Sequence, residues 1–517
     1  MNRRSLLRRG AALPFGLATL GTVSGTGTNG RATQTDYGPL AELGIPKAKE
    51  VVPSADGRTA FLAVTDGFAV VDVTDPESPE VVHENREPWA GEGNGRLEQI
   101  YDVKLDAEND LLAVVGPANP RNAWKGLIVY DVSDPTAPEK VAVHETEFFN
   151  HNCFATGGYV YLCGNASERN SLVVVDARAG EEVGRWSIAD VDERWTEVGP
   201  NWVLHDVYVH DGVAYLAHWD AGTWAVDVSD PTAPELLARI RGRDAETFVE
   251  MTRSEARQDY SEPPGNDHYV ATSDDGTLLG ISLEAWDTNR GDDSGGPGGV
   301  WLYDVSDPTA AEELAFIEPP PTDDPTFGGT WTTSHNFSFA GDRLYTSWYE
   351  GGVRVYDVSD PADPALLARW RDSDAASMWT AEPTGRGAFL ATSHRDGPRA
   401  SSESSADGAA LYTFPDPPAD AEPLTPTPGP TPTVTDTATG SETATGTATT
   451  TPTPSATDTP TAAETPTATD AATPDAGATD GEPTGTSAAG PGFGPLAALG
   501  GLGLGAWRLL RRPEDDR

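Results

Sequence analysis

Short apolar runs alternate with polar turns along most of the chain, and one motif recurs among them. An apolar run leads into Asp-Val-Ser/Thr-Asp-Pro, and the copies follow each other at intervals of 45 to 77 residues. The copies begin at Asp72, Asp131, Asp227, Asp304 and Asp357, with a weaker copy at Asp176. β-Branched residues favour strands, the second Asp can accept a bond from a nearby backbone N–H, and Pro ends ladder pairing. Each copy therefore predicts a β-strand that ends within the motif.

Each motif lies within a larger unit of four predicted strands. A hairpin precedes the motif, as in residues 151–163, 205–217 and 335–347, where alternating residues flank a Gly-Gly, Asp-Gly or Gly-Asp turn. A short fourth strand follows the motif. Repeated units of this length and strand number are typical of propeller blades. The sequence therefore predicts an all-β fold, a β-propeller of four-stranded blades.

The last unit indicates how the ring closes. A seventh hairpin spans residues 378–393 and a third strand spans 410–414, but the sequence from Pro415 onward offers no fourth strand. Residues 40–43, at the start of the domain, can supply the missing strand and join the two ends of the domain. We therefore predict a seven-bladed β-propeller over residues 36–420, closed by its N-terminal strand.

The charge balance narrows the classes of molecule that the protein can bind. The chain has 81 Asp and Glu against 35 Lys and Arg, a net charge of −46. Such a surface repels phosphates, so we expect no nucleic-acid partner. Molar salt shortens the screening length to about 3 Å and removes most of the self-repulsion. The acidic, lysine-poor composition is typical of halophilic proteins; the alternative, that the acidity only reflects the C-terminal tail, conflicts with the many acids in the predicted blade loops.

Residues 1–35 have the pattern of a leader segment. Arg3-Arg4-Ser5-Leu6-Leu7 is followed by a stretch of Gly, Ala and Leu and then by small polar residues. This pattern resembles a twin-arginine export signal, which implies that the chain crosses the membrane already folded. The alternative is a membrane anchor, but the apolar stretch is short and is interrupted by Pro14 and Gly16.

The C-terminal region changes composition twice. Residues 421–490 are mostly Thr, Pro, Ala, Gly and Asp, which predicts a disordered stalk. Within residues 491–517, Pro491-Gly492-Phe493 precedes a short apolar segment, a predicted hydrophobic helix, and then Arg511-Arg512. This arrangement resembles the PGF-CTERM signal of archaeal surface proteins, which implies cleavage by an archaeosortase and attachment to a membrane lipid. The alternative is a plain transmembrane helix; either one places the propeller outside the cell.

The strand-plus-aspartate pattern also points to a family. Leu172-Val173-Val174-Val175-Asp176 and Leu127-Ile128-Val129-Tyr130-Asp131 resemble the LVIVD repeat of secreted bacterial and archaeal propellers. The resemblance covers about residues 60 to 415 and implies a seven-bladed fold on the cell surface of a haloarchaeal type of organism. The family has no uniform activity, so the function must be argued from the residues of this chain.

Histidines open the inner hairpins of four successive predicted blades. Equivalent positions of successive blades face one another around a propeller's channel, and imidazole suits zinc, copper or iron. The candidate metal ligands are therefore His151, His205, His268 and His335. The alternative is structural: three of these histidines are followed by Asn or Asp, and such a pair can bond the neighbouring blade. In the remaining blades the same position falls near Glu50, Tyr101 or Asp102, and Met378.

A second candidate site follows the second strands of two blades. Aromatic residues beside carboxylates can line a pocket for a small polar ligand. The candidate ligand-binding residues are Trp219, Asp220, Trp348 and Glu350. The alternative is that these aromatic side chains pack between blades.

The two cysteines, Cys153 and Cys163, lie on one predicted hairpin. With a two-residue Gly157-Gly158 turn, their side chains point to opposite faces of the sheet, so we expect buried thiols. Export permits a disulfide, but a bond requires a three-residue loop.

The sequence carries no nucleotide-binding glycine loop in a strand-to-helix context and no Gly-x-Ser-x-Gly elbow. The leading hypothesis is a monomeric, cell-surface-anchored binding or scaffold module whose partner is a surface protein, a polymer or a small molecule. The alternative is a metal-dependent extracellular enzyme, a hydrolase or an oxidoreductase, that uses the histidines of the channel.

Overall fold

The computed structural model describes residues 37–89, 95–120, 123–165, 169–288, 295–394 and 408–424. The predicted export signal (1–35), nearly all of the predicted stalk (421–490) and the predicted anchor with its short helix (491–517) lie outside these residues and stay predictions. None of the helices in the described ranges has the length and apolar character of a membrane span.

Within the described residues the strands form seven antiparallel sheets of four strands each. The strand β1 (Ala41–Gly44) precedes blade 1. Blade 1 is formed by β2 (Ala48–Pro53), β3 (Thr59–Val64), β4 (Gly67–Asp72) and β5 (Glu80–Asn85). Blade 2 is formed by β6 (Val103–Asp106), β7 (Leu111–Gly116), β8 (Gly126–Asp131) and β9 (Glu139–Glu145). Blade 3 is formed by β10 (Phe149–Thr156), β11 (Tyr159–Asn165), β12 (Ser171–Asp176) and β13 (Glu181–Trp186).

The remaining blades repeat this order. Blade 4 is formed by β14 (Asp206–His210), β15 (Val213–His218), β16 (Gly222–Asp227) and β17 (Glu235–Arg239). Blade 5 is formed by β18 (Asp267–Thr272), β19 (Leu278–Leu283), β20 (Val300–Asp304) and β21 (Glu312–Ile317). Blade 6 is formed by β22 (Phe337–Ala340), β23 (Arg343–Ser347), β24 (Val353–Asp357) and β25 (Ala365–Trp370). Blade 7 takes β26 (Met378–Pro383), β27 (Ala388–Ser393) and β28 (Ala410–Pro415) from the C-terminal side and β1 from the N-terminal side.

The closing strand confirms the predicted seven-bladed ring. β1 runs antiparallel to β28, with Leu43 opposite Leu411. The Leu40 N–H donates to the carbonyl of Thr413 over 2.7 Å, and the Ile45 N–H donates to the carbonyl of Ala409 over 2.9 Å. The first and the last strand of the propeller therefore belong to one blade.

The repeated aspartate is the last residue of the third strand in blades 1 to 6. Its carboxylate accepts a bond from the backbone N–H two residues later, at 3.1 Å for Asp131 and 2.9 Å for Asp227. The second aspartate of the motif repeats this Asx turn, as at Asp134 and Asp230. The two turns together reverse the chain into the fourth strand, which explains the motif.

The core lies between the blades. Seven apolar clusters each join two adjacent sheets, as where Leu172 of β12 and Trp224 of β16 share a cluster. The two cysteines lie in different clusters, Cys153 between blades 2 and 3 and Cys163 between blades 3 and 4. Both are buried free thiols, with Cys153 opposite Leu162, as the alternation along the hairpin predicts.

Short helical segments lie in the connections between blades 3 and 4 and between blades 4 and 5, and also inside blade 5. In the described residues the two α-helices, α1 (Glu246–Val249) and α2 (Arg253–Asp259), occupy the connection from β17 to β18. Thr252 and Glu255 cap α2 with reciprocal side-chain bonds to the backbone. Single 3-10 turns lie at Ile188–Asp190, Glu193–Glu197, Pro200–Trp202 and Pro308–Ala310.

Candidate functional site

The first strand of every blade contacts the first strand of the next, so β2, β6, β10, β14, β18, β22 and β26 surround a central channel. One residue from each blade, within or just before its first strand, faces its neighbours there. We call these residues the channel ring: Lys49, Tyr101, His151, His205, His268, His335 and Trp379.

Ring-to-ring contacts follow the order of the blades. The imidazole centroids of His151 and His205 lie 4.5 Å apart, those of His205 and His268 lie 3.8 Å apart, and those of His268 and His335 lie 4.8 Å apart. The Trp379 indole lies 4.2 Å from the His335 ring. The four predicted histidines therefore form one continuous arc.

The other side of the ring is aromatic and cationic. The Nζ of Lys49 lies 4.4 Å from the centroid of Trp379 and 4.8 Å from that of Tyr101, within cation–π distance. The alignment of the repeats predicts Glu50 and Met378 at the ring positions that Lys49 and Trp379 occupy. A β-bulge in β2, between Ala48 and Val51, and a bulge in β26 shift the register there, so that Lys49 and Trp379 enter the ring.

Similar bulges interrupt the pairing of β10, between Asn150 and Cys153, and of β18, between Asp267 and Tyr269. His151 and His268 lie inside these bulges. An extra residue bends a strand and re-aims a side chain, and bulges are frequent beside functional sites. The bulges thus account for the direction of four of the seven ring side chains, those of Lys49, His151, His268 and Trp379.

Three of the histidines bond the backbone of the neighbouring blade through Nδ1. The acceptors are the carbonyls of Ala118 for His151 (2.9 Å), His268 for His205 (2.7 Å) and Trp379 for His335 (2.6 Å). A carbonyl oxygen only accepts, so each Nδ1 carries the proton and each neutral ring keeps a lone pair on Nε2. The structural role of these histidines leaves one nitrogen of each ring able to bind a ligand.

Burial keeps the arc uncharged. Desolvation lowers the pKa of His151 to about 4 and that of His335 to about 3. The pKa values of His205 and His268 fall well below the usual histidine range, first because of burial and then because neighbouring imidazoles repel a second positive charge. Neutral imidazole is the form that binds metals.

Among the described residues, one group of side chains has the donor set and spacing of a metal site. A nitrogen of His268, a nitrogen of His335 and a carboxylate oxygen of Glu284 all lie within 4.8 Å of one another. Glu284 directly follows β19 of blade 5 and is buried. Two of the four predicted histidines belong to this group; His151 and His205 lie beside it in the arc.

A second polar layer lies one residue further along each first strand. The Asn152 amide donates to Asp206 over 3.1 Å, and the Asn336 amide donates to Glu50 over 2.6 Å. These bonds link blades 3 and 4, and blades 6 and 1. The Asn and Asp of the repeated His-Asn and His-Asp pairs therefore link blades of the ring.

Lys104 is the buried cation of this layer, with its Nζ 3.0 Å from Glu50 and 2.9 Å from Asp102. Burial raises the pKa of Glu50 to about 7 and that of Asp206 to about 8, although Lys104 acts in the opposite direction on both. The layer is a buried ion network with its own cation, distinct from the metal-capable group.

The predicted ligand-binding residues of blade 4 are buried in local contacts. The Trp219 indole stacks on Tyr260 with a centroid distance of 4.9 Å. Asp220 accepts bonds from the Asn201 amide at 2.9 Å and from the Arg243 guanidinium at 2.8 Å. Burial raises the pKa of Asp220 to about 7. These contacts join blade 4 to the helical connections before and after it.

The predicted ligand-binding residues of blade 6 are buried elsewhere. Trp348 has no exposed surface, packs in the cluster between blades 5 and 6, and donates from Nε1 to Thr346 over 2.7 Å. Glu350 accepts a bond from the Trp331 backbone N–H over 2.7 Å. The structure thus places the two pairs on separate blades, in packing positions, and does not bring the four residues together.

Two residues of the site were missed from the sequence. Glu284 directly follows the second strand of blade 5, and Trp348 and Tyr349 follow the second strand of blade 6. The Glu-Ala-Trp at 284–286 is the sequence pattern that could have indicated Glu284 as a site residue. Tyr349 donates its hydroxyl to Glu284 and lies 4.7 Å from the His335 ring. Its backbone has a positive φ of 47°, which no sequence rule for tyrosine anticipates.

These features define the chain as a β-propeller repeat protein. The family model of the LVIVD repeat matches residues 122–146 and 204–241. The first match contains β8 and β9, and the second contains all four strands of blade 4. The chain is thus similar to LVIVD-repeat proteins over these blades, as the sequence motif indicates.

Solved structures show the same fold at low identity. The structure of U3-55K is similar with a TM-score of 0.50 and 11% identity, covering 73% of this chain and 100% of that chain. The WD40 repeats of RRP9 are similar with a TM-score of 0.50 and 9% identity, covering 72% of this chain and 97% of theirs. At this identity the likeness shows the fold alone. No curated protein matches the sequence.

Proposed function

We propose that the protein is an exported, monomeric binding or scaffold module of a halophilic archaeon, tethered to the outer face of the cell membrane by its C-terminus. The twin-arginine pattern in residues 1–35 supports export in the folded state. The PGF-CTERM-like pattern in residues 491–517 supports processing by an archaeosortase and anchoring. The partner is a surface protein, a polymer or a small molecule.

The observation that carries this proposal is the position of the two ends of the fold. β1 and β28 are neighbours in blade 7. The described chain after β28 continues to the adjacent blade 6, where the Leu424 N–H donates to the carbonyl of Leu366 over 2.8 Å. Tethering on this side of the ring leaves the blades on the opposite side accessible to partners. Repeat folds commonly use such extended surfaces for binding.

The surface charge supports the halophilic part of the proposal. The motif aspartates repeat on the outer turns of the blades, where Asp134 and Asp230 are exposed. With a net charge of −46, such a surface needs screening salt for full stability.

Protease treatment of intact cells tests the proposal. In a haloarchaeal host the propeller of the full chain should be cleaved from outside and should remain with the membrane fraction. An Arg3→Lys/Arg4→Lys variant should stay inside and protected, and a chain ending at residue 490 should appear in the medium. A wild-type chain protected from external protease would contradict the proposal.

The second candidate function is a metal-dependent extracellular enzyme, a hydrolase or an oxidoreductase. The buried group of His268, Glu284 and His335 favours it. A bound metal would polarise a substrate or activate water in the channel. Ester hydrolysis and thiol oxidation, each assayed before and after chelation, test this second function.

A further inference from the structure

We infer that His268, Glu284 and His335 bind one divalent transition-metal ion in the propeller channel. The inference deepens the second candidate function and does not depend on the first. It rests on the spacing of the donors, on unpaired buried atoms and on the groups that orient the ligands.

The spacing of the donors suits a small metal ion. The Nδ1 of His268 lies 3.3 Å from the Oε2 of Glu284. Nitrogen and oxygen donors about 2.0 to 2.1 Å from zinc stand roughly 3.3 Å apart in a tetrahedral site. With His335 the three donors lie within 4.8 Å of one another, so small side-chain rotations close the site.

The unpaired atoms point to a missing partner. Both ring nitrogens of His268 and the Oε2 of Glu284 are buried and have no hydrogen-bond partner among the described residues. The His268 and Glu284 side chains are 2% and 1% exposed. Buried polar groups are normally paired, because desolvation without a partner costs free energy. A metal ion satisfies a nitrogen of His268 and the free carboxylate oxygen at once.

Surrounding groups orient two of the ligands. The carbonyl of Trp379 accepts from the Nδ1 of His335 and leaves its Nε2 as the donor nitrogen. The hydroxyl of Tyr349 donates to the Oε1 of Glu284 and leaves Oε2 for the metal. Such outer partners of metal ligands fix ring orientation and raise ligand basicity.

A direct hydrogen bond does not explain the contact between His268 and Glu284. Their Nδ1 and Oε2 atoms lie 3.3 Å apart, yet neither atom has a hydrogen-bond partner among the described residues. A divalent ion held between the two side chains would give both atoms a partner.

The donor set selects the class of metal. Two imidazoles and one carboxylate suit zinc, iron(II) or copper(II), whereas calcium and magnesium take oxygen ligands. Three protein ligands leave at least one coordination position for water or a substrate, which distinguishes catalytic sites from closed structural sites.

Metal titration of the full chain tests the inference. The protein is stripped by chelation in molar potassium chloride and dialysed against zinc(II), cobalt(II) or copper(II). We expect one ion per chain and, with copper(II), a nitrogen hyperfine pattern in the electron paramagnetic resonance spectrum. Glu284→Gln and His335→Gln should weaken binding at least about 100-fold. The matched control is His218→Gln, a buried histidine of β15 whose Nδ1 bonds the carbonyl of Trp202, away from the group.

Tyr349→Phe keeps all three ligands and removes the bond to Glu284, so it should weaken binding about 10- to 100-fold. This variant keeps the inference testable if a ligand variant fails to fold. Binding that stays unchanged in Glu284→Gln and His335→Gln, or no stoichiometric binding to the wild type, would overturn the inference. The same result would remove the second candidate function. Surface display, which protease treatment tests, would be unaffected.

Discussion

Replacing Trp348 by alanine tests whether this residue packs between blades or serves a ligand. The side chain has no exposed surface and lies in the cluster that joins Leu302 of blade 5 to Phe337 of blade 6. Truncating a fully buried Trp costs about 3 to 5 kcal/mol in the free energy of unfolding. The lost bond from Nε1 to Thr346 favours the upper end of that range.

The assay is urea unfolding of the full chain at constant molar salt, where the midpoint should fall and the slope should stay unchanged. The matched control is Trp89→Ala, because Trp89 is 52% exposed and its loss should change stability by less than about 0.5 kcal/mol. If Trp348→Ala lowers the free energy of unfolding by less than about 1 kcal/mol, the packing argument is refuted. Trp348 would then again be a candidate ligand-binding residue.

Three further predictions concern closure, salt and the thiols. Deleting the chain through Gly44 removes four paired residues of β1 and should lower the free energy of unfolding by roughly 2 to 6 kcal/mol relative to a deletion ending at residue 36; equal urea midpoints would contradict this. Raising potassium chloride from 0.1 to 1 M should raise the urea midpoint, because the screening length falls from about 10 to about 3 Å; a constant midpoint would speak against self-repulsion. Iodoacetamide should leave Cys153 and Cys163 unmodified in the native protein and alkylate both in urea, since burial raises the pKa of each thiol; an intact mass without adducts after unfolding would indicate a disulfide.

The fold was predictable because the repeat encodes it locally. Each motif aspartate marks the end of a third strand and starts an Asx turn, so the blade count follows from the motif and the hairpins. Because no fourth strand follows Pro415, residues 40–43 were predicted to close the ring. The pairing of β1 (Ala41–Gly44) with β28 confirms this prediction. Strong local signals and a closed topology left few alternatives.

The site was only partly predictable from the sequence, because it depends on the register of the strands and on the backbone conformation of the loops. The alignment of equivalent positions in the repeats predicted the four histidines of the arc. It did not predict the bulges that place Lys49 and Trp379 in the ring. It also missed Glu284, whose importance comes from spatial contact with His268 across blade 5. Aromatic residues beside carboxylates, as at Trp348 and Glu350, look alike in sequence whether they pack or bind.

The structural and metal-binding roles of the histidines are compatible. Nδ1 of His335 ties blade 6 to blade 7 through the Trp379 carbonyl, while its Nε2 keeps a lone pair. His268 differs from its neighbours, since neither of its nitrogens has a hydrogen-bond partner in the described part of the chain. This difference singles out blade 5 as the place where the arc gains a chemical function beyond holding the ring.

Anomalous X-ray diffraction at the zinc edge, from crystals of the protein grown with zinc(II), tests the central claim most directly. The account predicts one peak in the channel, about 2.0 to 2.2 Å from Oε2 of Glu284 and from one nitrogen each of His268 and His335. A channel without a peak, or a peak bound by other residues, would contradict it.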